Sequence, residues 1–368
     1  MNRTEAIAWV LSVCANTLRL SQAKTLSVIV AAAMACSRIS LGNLGREMPG
    51  TAKHQIKRAS RFITNGRIEP MLAMGGPIRR LVKRRKKPLL VSLDWTDVRG
   101  LTTLMAAAVI GGRATPLCWA SCPRNVYEGH RSRNAFEESL LGVLRTMIPT
   151  SVRVILLADR GFGRTSLAKF CREQGFSYLI RIQPKVHVAS NSFTGKLLDY
   201  PMHKGISRKL SDVRYRQDQA VCQHVVVHWA RNLPKKRDEC WFLMTDLPGT
   251  ARQLVGLYAK RMSVEQLFRD LKNKRNGWSL RDTGIRDPQR FDRLLLILAL
   301  AYLLVCGAGL IGRLSGKPAM WCSNNRPNEC SVFAIGLILI HGRKLRISPT
   351  AAFTALLLAS DSVAANWG

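Results

Sequence analysis

The sequence predicts an α/β protein: a mixed sheet flanked by helices, interrupted by a β-rich insertion and preceded by a helical, basic N-terminal region. Three observations carry this. From Pro88 onward, short apolar runs of strand type alternate with segments of helical periodicity. Residues 184–239 are polar and basic with short β-prone pieces such as Val221 to Trp229. Residues 1–87 hold 17 Lys and Arg against only Glu5, Glu47 and Glu69, in stretches of amphipathic helix pattern.

The chain has 368 residues, which at about 150 per domain makes two or three units. Its formal net charge is +34 while 47% of it is hydrophobic. That apolar content excludes intrinsic disorder, and the excess charge points to a polyanionic partner, nucleic acid first. Ten cysteines are scattered without a CxxC pair, as expected of reduced core residues in a cytoplasmic protein. Cys118, Cys122 and His130 come nearest to a zinc pattern but lack a fourth ligand. Arg3 precedes an apolar stretch, but Glu5 interrupts it and no small-residue cleavage site follows, so no signal peptide is expected.

In residues 1–87 the pattern gives helices near 5–18 and 22–37, then a Gly-rich break from Gly42 to Gly50. A further helix starts near Thr51, where His54, Lys57, Arg58 and Arg61 line one face and Ile56 and Ile63 point inward. This region is expected to bind DNA, although a solvated basic face has the same pattern. Arg79 to Lys87 reads as a basic linker able to track phosphates.

Residues 88–183 form the first part of the core. Leu89 to Leu93 is a strand ending at Asp94, followed by strands over 101–111 and 115–120 in an antiparallel meander. A helix over 134–147 leads to a continuous apolar strand, 152–158, that ends at Asp159. Gly161 and Gly163 then open a helix reaching Gln174, before a strand over 176–182. After the insertion the core resumes over 240–315, with a strand from Cys240 to Thr245 and a long helix over 252–274. Residues 316–368 are expected to be helical.

Leu294 to Gly312 is 19 residues without a charge, close to the roughly 20 needed to cross a bilayer. Gly307, Gly309 and Gly312 crowd its end and no aromatic belt is clear, so a buried central helix is expected.

Asp94 and Asp159, at the ends of what would be neighbouring strands, and Glu265 on a later helix can surround hard divalent cations, which prefer oxygen ligands. This is the layout of an RNase H-like nuclease site, where two Mg²⁺ serve an in-line attack on a phosphodiester. Mn²⁺ suits the same ligands. Asp97 competes with Asp94 for the first position. On the helix, Tyr258, Arg261, Glu265, Phe268 and Lys272 step by 3, 4, 3 and 4, placing the carboxylate on one face with two cations. An exposed helix laced with ion pairs, for instance Arg261 with Glu265, is the plain alternative.

The spacing Tyr258-x2-Arg261-x3-Glu265-x6-Lys272 resembles the signature of the insertion-sequence-four family of bacterial DDE transposases, most closely the transposon-ten type. SLDWTDVRG around Asp94 and LLADRGFG around Asp159 resemble its first and second acidic motifs. In the family the first acid precedes a Trp, which favours Asp94 over Asp97. The resemblance covers about residues 50 to 315. It implies Asp94, Asp159 and Glu265 as catalytic metal ligands, with Tyr258, Arg261 and Lys272 on phosphates near the cleaved end. It further implies cut-and-paste transposition through a DNA hairpin, by a homodimer in a synaptic complex on terminal inverted repeats and target DNA. Trp241 resembles the family Trp that receives a flipped base, and Met262 the residue that helps to push it out. The expected setting is the bacterial cytoplasm, at the nucleoid, with no membrane.

Other classes predict other behaviour. A nuclease without strand transfer would cut without joining, a DNA-binding protein without catalysis would ignore divalent metal, and a membrane-anchored protein would require detergent.

Overall fold

The structure, a computed structural model, describes residues 1–83, 85–127, 132–215, 222–231, 239–322, 329–342 and 345–364. His130 of the zinc pattern lies outside the described residues, whereas Cys118 and Cys122 are buried.

Five helices come first: α1 (Arg3–Cys14), α2 (Leu20–Ala35), α3 (Leu41–Glu47), α4 (Ala52–Thr64) and α5 (Pro70–Val82). The expected Gly-rich break is therefore a helix, α3, capped by the Ser40 hydroxyl on the Asn43 N–H at 3.1 Å. Its glycine serves close packing, because a Cβ at Gly45 would lie 2.5 Å from the Ile56 Cα on α4. The expected basic linker is also altered. Arg79 and Arg80 end α5, and Arg85 is buried, donating to the Pro88 and Ser360 carbonyls at 3.0 and 3.2 Å. Arg84 lies outside the described residues.

Among the described residues a single sheet of ten strands follows: β1 (Leu89–Val98), β2 (Leu101–Ile110), β3 (Arg113–Pro123), β4 (Val154–Ala158), β5 (Phe176–Arg181), β6 (His187–Ser190), β7 (Phe193–Lys196), β8 (Ser207–Tyr215), β9 (Cys222–His228) and β10 (Trp241–Thr245). Their spatial order is β3-β2-β1-β4-β5-β10-β9-β8-β6-β7. The β1-β2-β3 meander is as expected, and its first turn runs through Arg99 and Gly100, both at positive φ (46° and 81°), a twist that suits a tight hairpin. The insertion extends this same sheet: β6 to β9 continue it past β10, which pairs antiparallel with both β5 and β9.

Helices α6 (Arg133–Met147) and α7 (Thr165–Glu173) connect β3, β4 and β5, so that β1, β4 and β5 run parallel. After β10 come α8 (Ala251–Ala259) and α9 (Ser263–Lys272), separated by a 3-10 turn over Lys260–Met262 where one continuous helix was expected. The expected membrane-length segment is the middle of α10 (Pro288–Leu314), whose apolar window is 94% buried. It is the central helix of the molecule: α2, α4, α5, β3, α11 (Val332–His341) and α12 (Pro349–Val363) all pack on it. An all-round apolar helix finds apolar neighbours on every side here. Its glycines are where other helices cross, since a Cβ on Gly309 would lie 1.8 Å from the Val332 carbonyl. Most buried apolar side chains from Ala6 to Leu356 form the main core, with Trp9 against Phe353 at a ring separation of 5.3 Å, while Leu90, Ile155, Leu243, Leu257 and Tyr258 belong to a second cluster.

Candidate active site

Parallel pairing between β1 and β4 ends at Leu93 with Ala158, so Asp94 and Asp159 follow the same register pair. Asp94 does not end its strand. β1 runs on through four more residues to Val98, held by its antiparallel partner β2. It sits instead where β1 loses its neighbour on the β4 side, which opens the crevice beyond the carboxyl ends of the parallel strands. Strand alternation turns Asp97 to the opposite face from Asp94, and Asp97 is exposed beside Arg124 at 3.8 Å.

Asp159 ends β4 as expected and caps the following turn, its Oδ1 accepting the Gly161 N–H at 2.7 Å. The expected helix begins later than Gly161, at Thr165, because a 3-10 turn over Arg160–Phe162 intervenes. Gly163 lies so close to the next strand that a Cβ would be 2.7 Å from the Arg181 carbonyl.

The turn between α8 and α9 brings the expected signature residues to this crevice. Arg261 is buried and its guanidinium joins two acids: Nη1 to Asp94 Oδ2 at 3.3 Å and Nη2 to Glu265 Oε1 at 2.6 Å. The i,i+4 ion pair of the plain reading thus exists, but within the site. Tyr258 is buried under the same guanidinium, 5.9 Å from ring centre to charge, and burial pushes its hydroxyl up to about 12. Lys272, at the end of α9, is half-buried; burial and the nearby Arg281 pull its ammonium down, against Asp97 and Asp94. Trp241 is half-buried on β10, with its ring edge-on to Tyr258 at 5.1 Å, and Met262 is exposed.

The four cationic or imidazole residues expected to face DNA lie apart from this crevice, on α4. His54, Lys57 and Arg61 are exposed, and Arg58 is half-buried with its Nη2 on the Thr25 hydroxyl at 3.1 Å. Ile63 is buried as expected, but Ile56 only half.

Burial raises the Asp94 carboxyl to about 6, Arg261 opposes this, and the carboxylates of Asp159 and Glu265 add to it. Such crowding of like charges is what a cation relieves. The donors are all carboxylate oxygens, the chemistry a hard divalent ion takes. Among the described residues no three such ligands converge on one point, and Arg261 stands between Asp94 and Glu265.

Two further groups were not anticipated. Arg181 at the end of β5 is the next register position after Ile180, which pairs with Ala158; its guanidinium is drawn down by burial and feels Tyr258, Arg160, Arg261 and Asp159. On the other side of α9, the buried Asp270 accepts from Arg113 Nε at 2.8 Å and from the Tyr302 hydroxyl at 2.9 Å, pinning the Glu265 helix to β3 and α10. Arg181 could have been suspected from a cation ending a core strand, but nothing local marks Arg113 as the partner of Asp270.

The crevice thus holds acids fit for hard cations, ringed by cations fit for a phosphodiester backbone. No curated protein matches the sequence. The family model for the transposase DDE domain matches residues 85–304, more than half of the 368-residue chain and the stretch that carries all three acids. The chain belongs to that family and is a DDE transposase, an enzyme that cuts and transfers polynucleotide strands.

Proposed function

We propose that this chain is a cut-and-paste transposase of the insertion-sequence-four family, transposon-ten type, with Asp94, Asp159 and Glu265 as its catalytic acids. The observation that carries this is the shared register pair ahead of Asp94 and Asp159, with Arg261 joining Asp94 to Glu265. Asp94, Asp159 and Glu265 would hold two Mg²⁺, or Mn²⁺ in its place, which would supply activation of a water or a 3′ hydroxyl and charge stabilisation for the leaving oxygen. For Glu265 to join the aspartates, Arg261 must turn from the carboxylates to the incoming phosphate. Arg261, Arg181 and Lys272 then clamp the backbone at the cleaved end, and Tyr258 supports Arg261 from beneath.

On this reading the enzyme binds the terminal inverted repeats of its element and nicks each end. The freed 3′ hydroxyl attacks the opposite strand to form a hairpin, which is opened before the ends are joined to target DNA. Hairpin formation demands an extruded base. The half-buried face of Trp241 offers a stacking surface, and the exposed Met262 stands at the edge of the same site. The α4 face bearing His54, Lys57, Arg58 and Arg61 is proposed to hold the repeat by phosphate contacts. The working form is a homodimer in a synaptic complex, on DNA at the bacterial nucleoid.

The test is to incubate the protein and Mg²⁺ with linear DNA carrying the repeats that flank its gene, beside Glu265→Gln, and to resolve the strands on a denaturing gel. Hairpin-sized strands from the unaltered protein alone are expected. Loss of several kcal/mol of charge stabilisation should slow Glu265→Gln by about 1000-fold or more, with end binding retained. Nicked strands without hairpins would leave a nuclease.

A further inference from the structure

Glu137, on α6, is buried on the opposite face of the sheet from the acids, its side chain 1% exposed. With Leu140, Leu141 and Leu144 it lies on the stripe that α6 buries. An apolar residue at 137 would pack there at lower cost, since a buried charge repays its desolvation only through well-placed partners.

Its partners come from the strand that carries Asp94, from the end of the loop that follows Asp159, and from its own helix. The carboxylate accepts from the Trp95 indole Nε1 at 2.8 Å, and Trp95 follows Asp94 directly. It also pairs with the guanidinium of Arg164, at the far end of the loop that starts at Asp159. Arg133 adds a contact at 3.3 Å and lays its guanidinium over the Trp95 ring, 4.7 Å from its centre. Phe136 stacks on that ring at 5.6 Å, and Arg164 reaches on to Glu138 at 3.2 Å. Neighbouring residues of a strand point to opposite faces, so anchoring Trp95 sets the rotation of β1 at Asp94. Anchoring Arg164 likewise fixes the exit of the Asp159 loop, whose Gly163 carbonyl also accepts the Tyr215 hydroxyl at 3.1 Å.

We infer that Glu137 is a positioning residue: one buried carboxylate ties the strand of Asp94 to the loop of Asp159 and holds the two acids at the separation that a divalent cation requires. The inference rests on the reading of those aspartates as the cation-holding acids. Groups behind metal ligands govern affinity in this way, and their removal typically costs 10- to 100-fold.

The experiment uses the full chain with repeat-bearing DNA and compares Glu137→Gln, Trp95→Phe and Asp94→Asn. Trp95→Phe keeps an aromatic ring between Phe136 and Arg133 while removing the indole donor, so it carries the test if Glu137→Gln folds poorly. Three quantities are read: end binding without metal, Mn²⁺ binding to the protein–DNA complex by electron paramagnetic resonance, and the Mg²⁺ concentration for half-maximal cleavage. For Glu137→Gln and Trp95→Phe, Mn²⁺ affinity should weaken and the Mg²⁺ requirement rise by about 10-fold, while metal-free end binding is unchanged. Normal metal affinity in both variants overturns the inference. So does a parallel loss of metal-free end binding in both, which would make Glu137 a brace for the fold alone. Cleavage by Asp94→Asn would instead remove the reading of the acids. A dead Asp94→Asn beside normal Glu137→Gln and Trp95→Phe removes only the inference.

Discussion

Arg261 lies 3.3 Å from Asp94 although 167 residues separate them in the chain, and the same guanidinium holds Glu265 at 2.6 Å. A planar fork reaches two carboxylates at once, whereas a lysine is a single point of charge. Arg261→Lys should therefore uncouple the α9 acid from the strand acid without removing the charge. Strand cleavage should fall by about 10-fold or more, with thermal stability nearly unchanged. Cleavage at the normal rate would show that charge alone suffices at this position.

Trp241 offers its half-buried ring beside Tyr258, and base stacking on an aromatic is worth about 1–3 kcal/mol. Trp241→Ala should lower hairpin formation by roughly 10- to 100-fold while the first nick continues. Quantifying nicked and hairpin strands in one time course separates the steps; an equal loss of both would place Trp241 in the core alone.

Asp270 accepts from Arg113 and Tyr302 in a buried cluster. Removing one member of such a pair leaves an uncompensated charge and costs about 3–5 kcal/mol. Asp270→Ala should lower the thermal unfolding temperature by several degrees, and Asp270→Ala with Arg113→Met should recover part of it. A double variant no more stable than Asp270→Ala would show that the pair is not coupled.

Burial raises the Asp292 carboxyl to about 7 on α10, where it accepts the Ser121 N–H at 3.3 Å and its other oxygen has no hydrogen-bond partner among the described residues. The folded state therefore holds this proton more tightly than the unfolded chain. Its contribution to stability is largest at low pH and is lost as pH rises from about 4 toward the folded value near 7. Asp292→Asn should remove that slope and unfold at a higher temperature than the parent at pH 8, with little difference near pH 4. Thermal melts across that range decide it, and parallel curves would mean that Asp292 stays ionised when folded.

Much of the architecture was legible because it is periodic. The meander, the α6 helix, the β4 strand ending at Asp159 and the apolar α10 each announce themselves within one window of sequence. Breaks in an element were harder to read. The helical spacing from Tyr258 to Lys272 runs unbroken in sequence, yet the backbone tightens at Lys260–Met262, and that turn carries Arg261 into the crevice. The glycines of α3 looked like a loop because helix propensity is local, whereas Gly45 is selected by the approach of α4.

The sequence by itself determined most of the acids and cations that the crevice brings together, Arg181 apart, and that their setting is an α/β protein built to meet a polyanion. Those properties follow from residue type and short-range spacing. Only the tertiary structure decided that the insertion continues the central sheet, that Arg85 is a buried clamp, and that Glu137 joins the neighbours of Asp94 and Asp159. These depend on strand order and on contacts between distant segments. No local pattern encodes them, because a buried charge or a sheet edge is stable only with the particular partner that the whole fold brings to it.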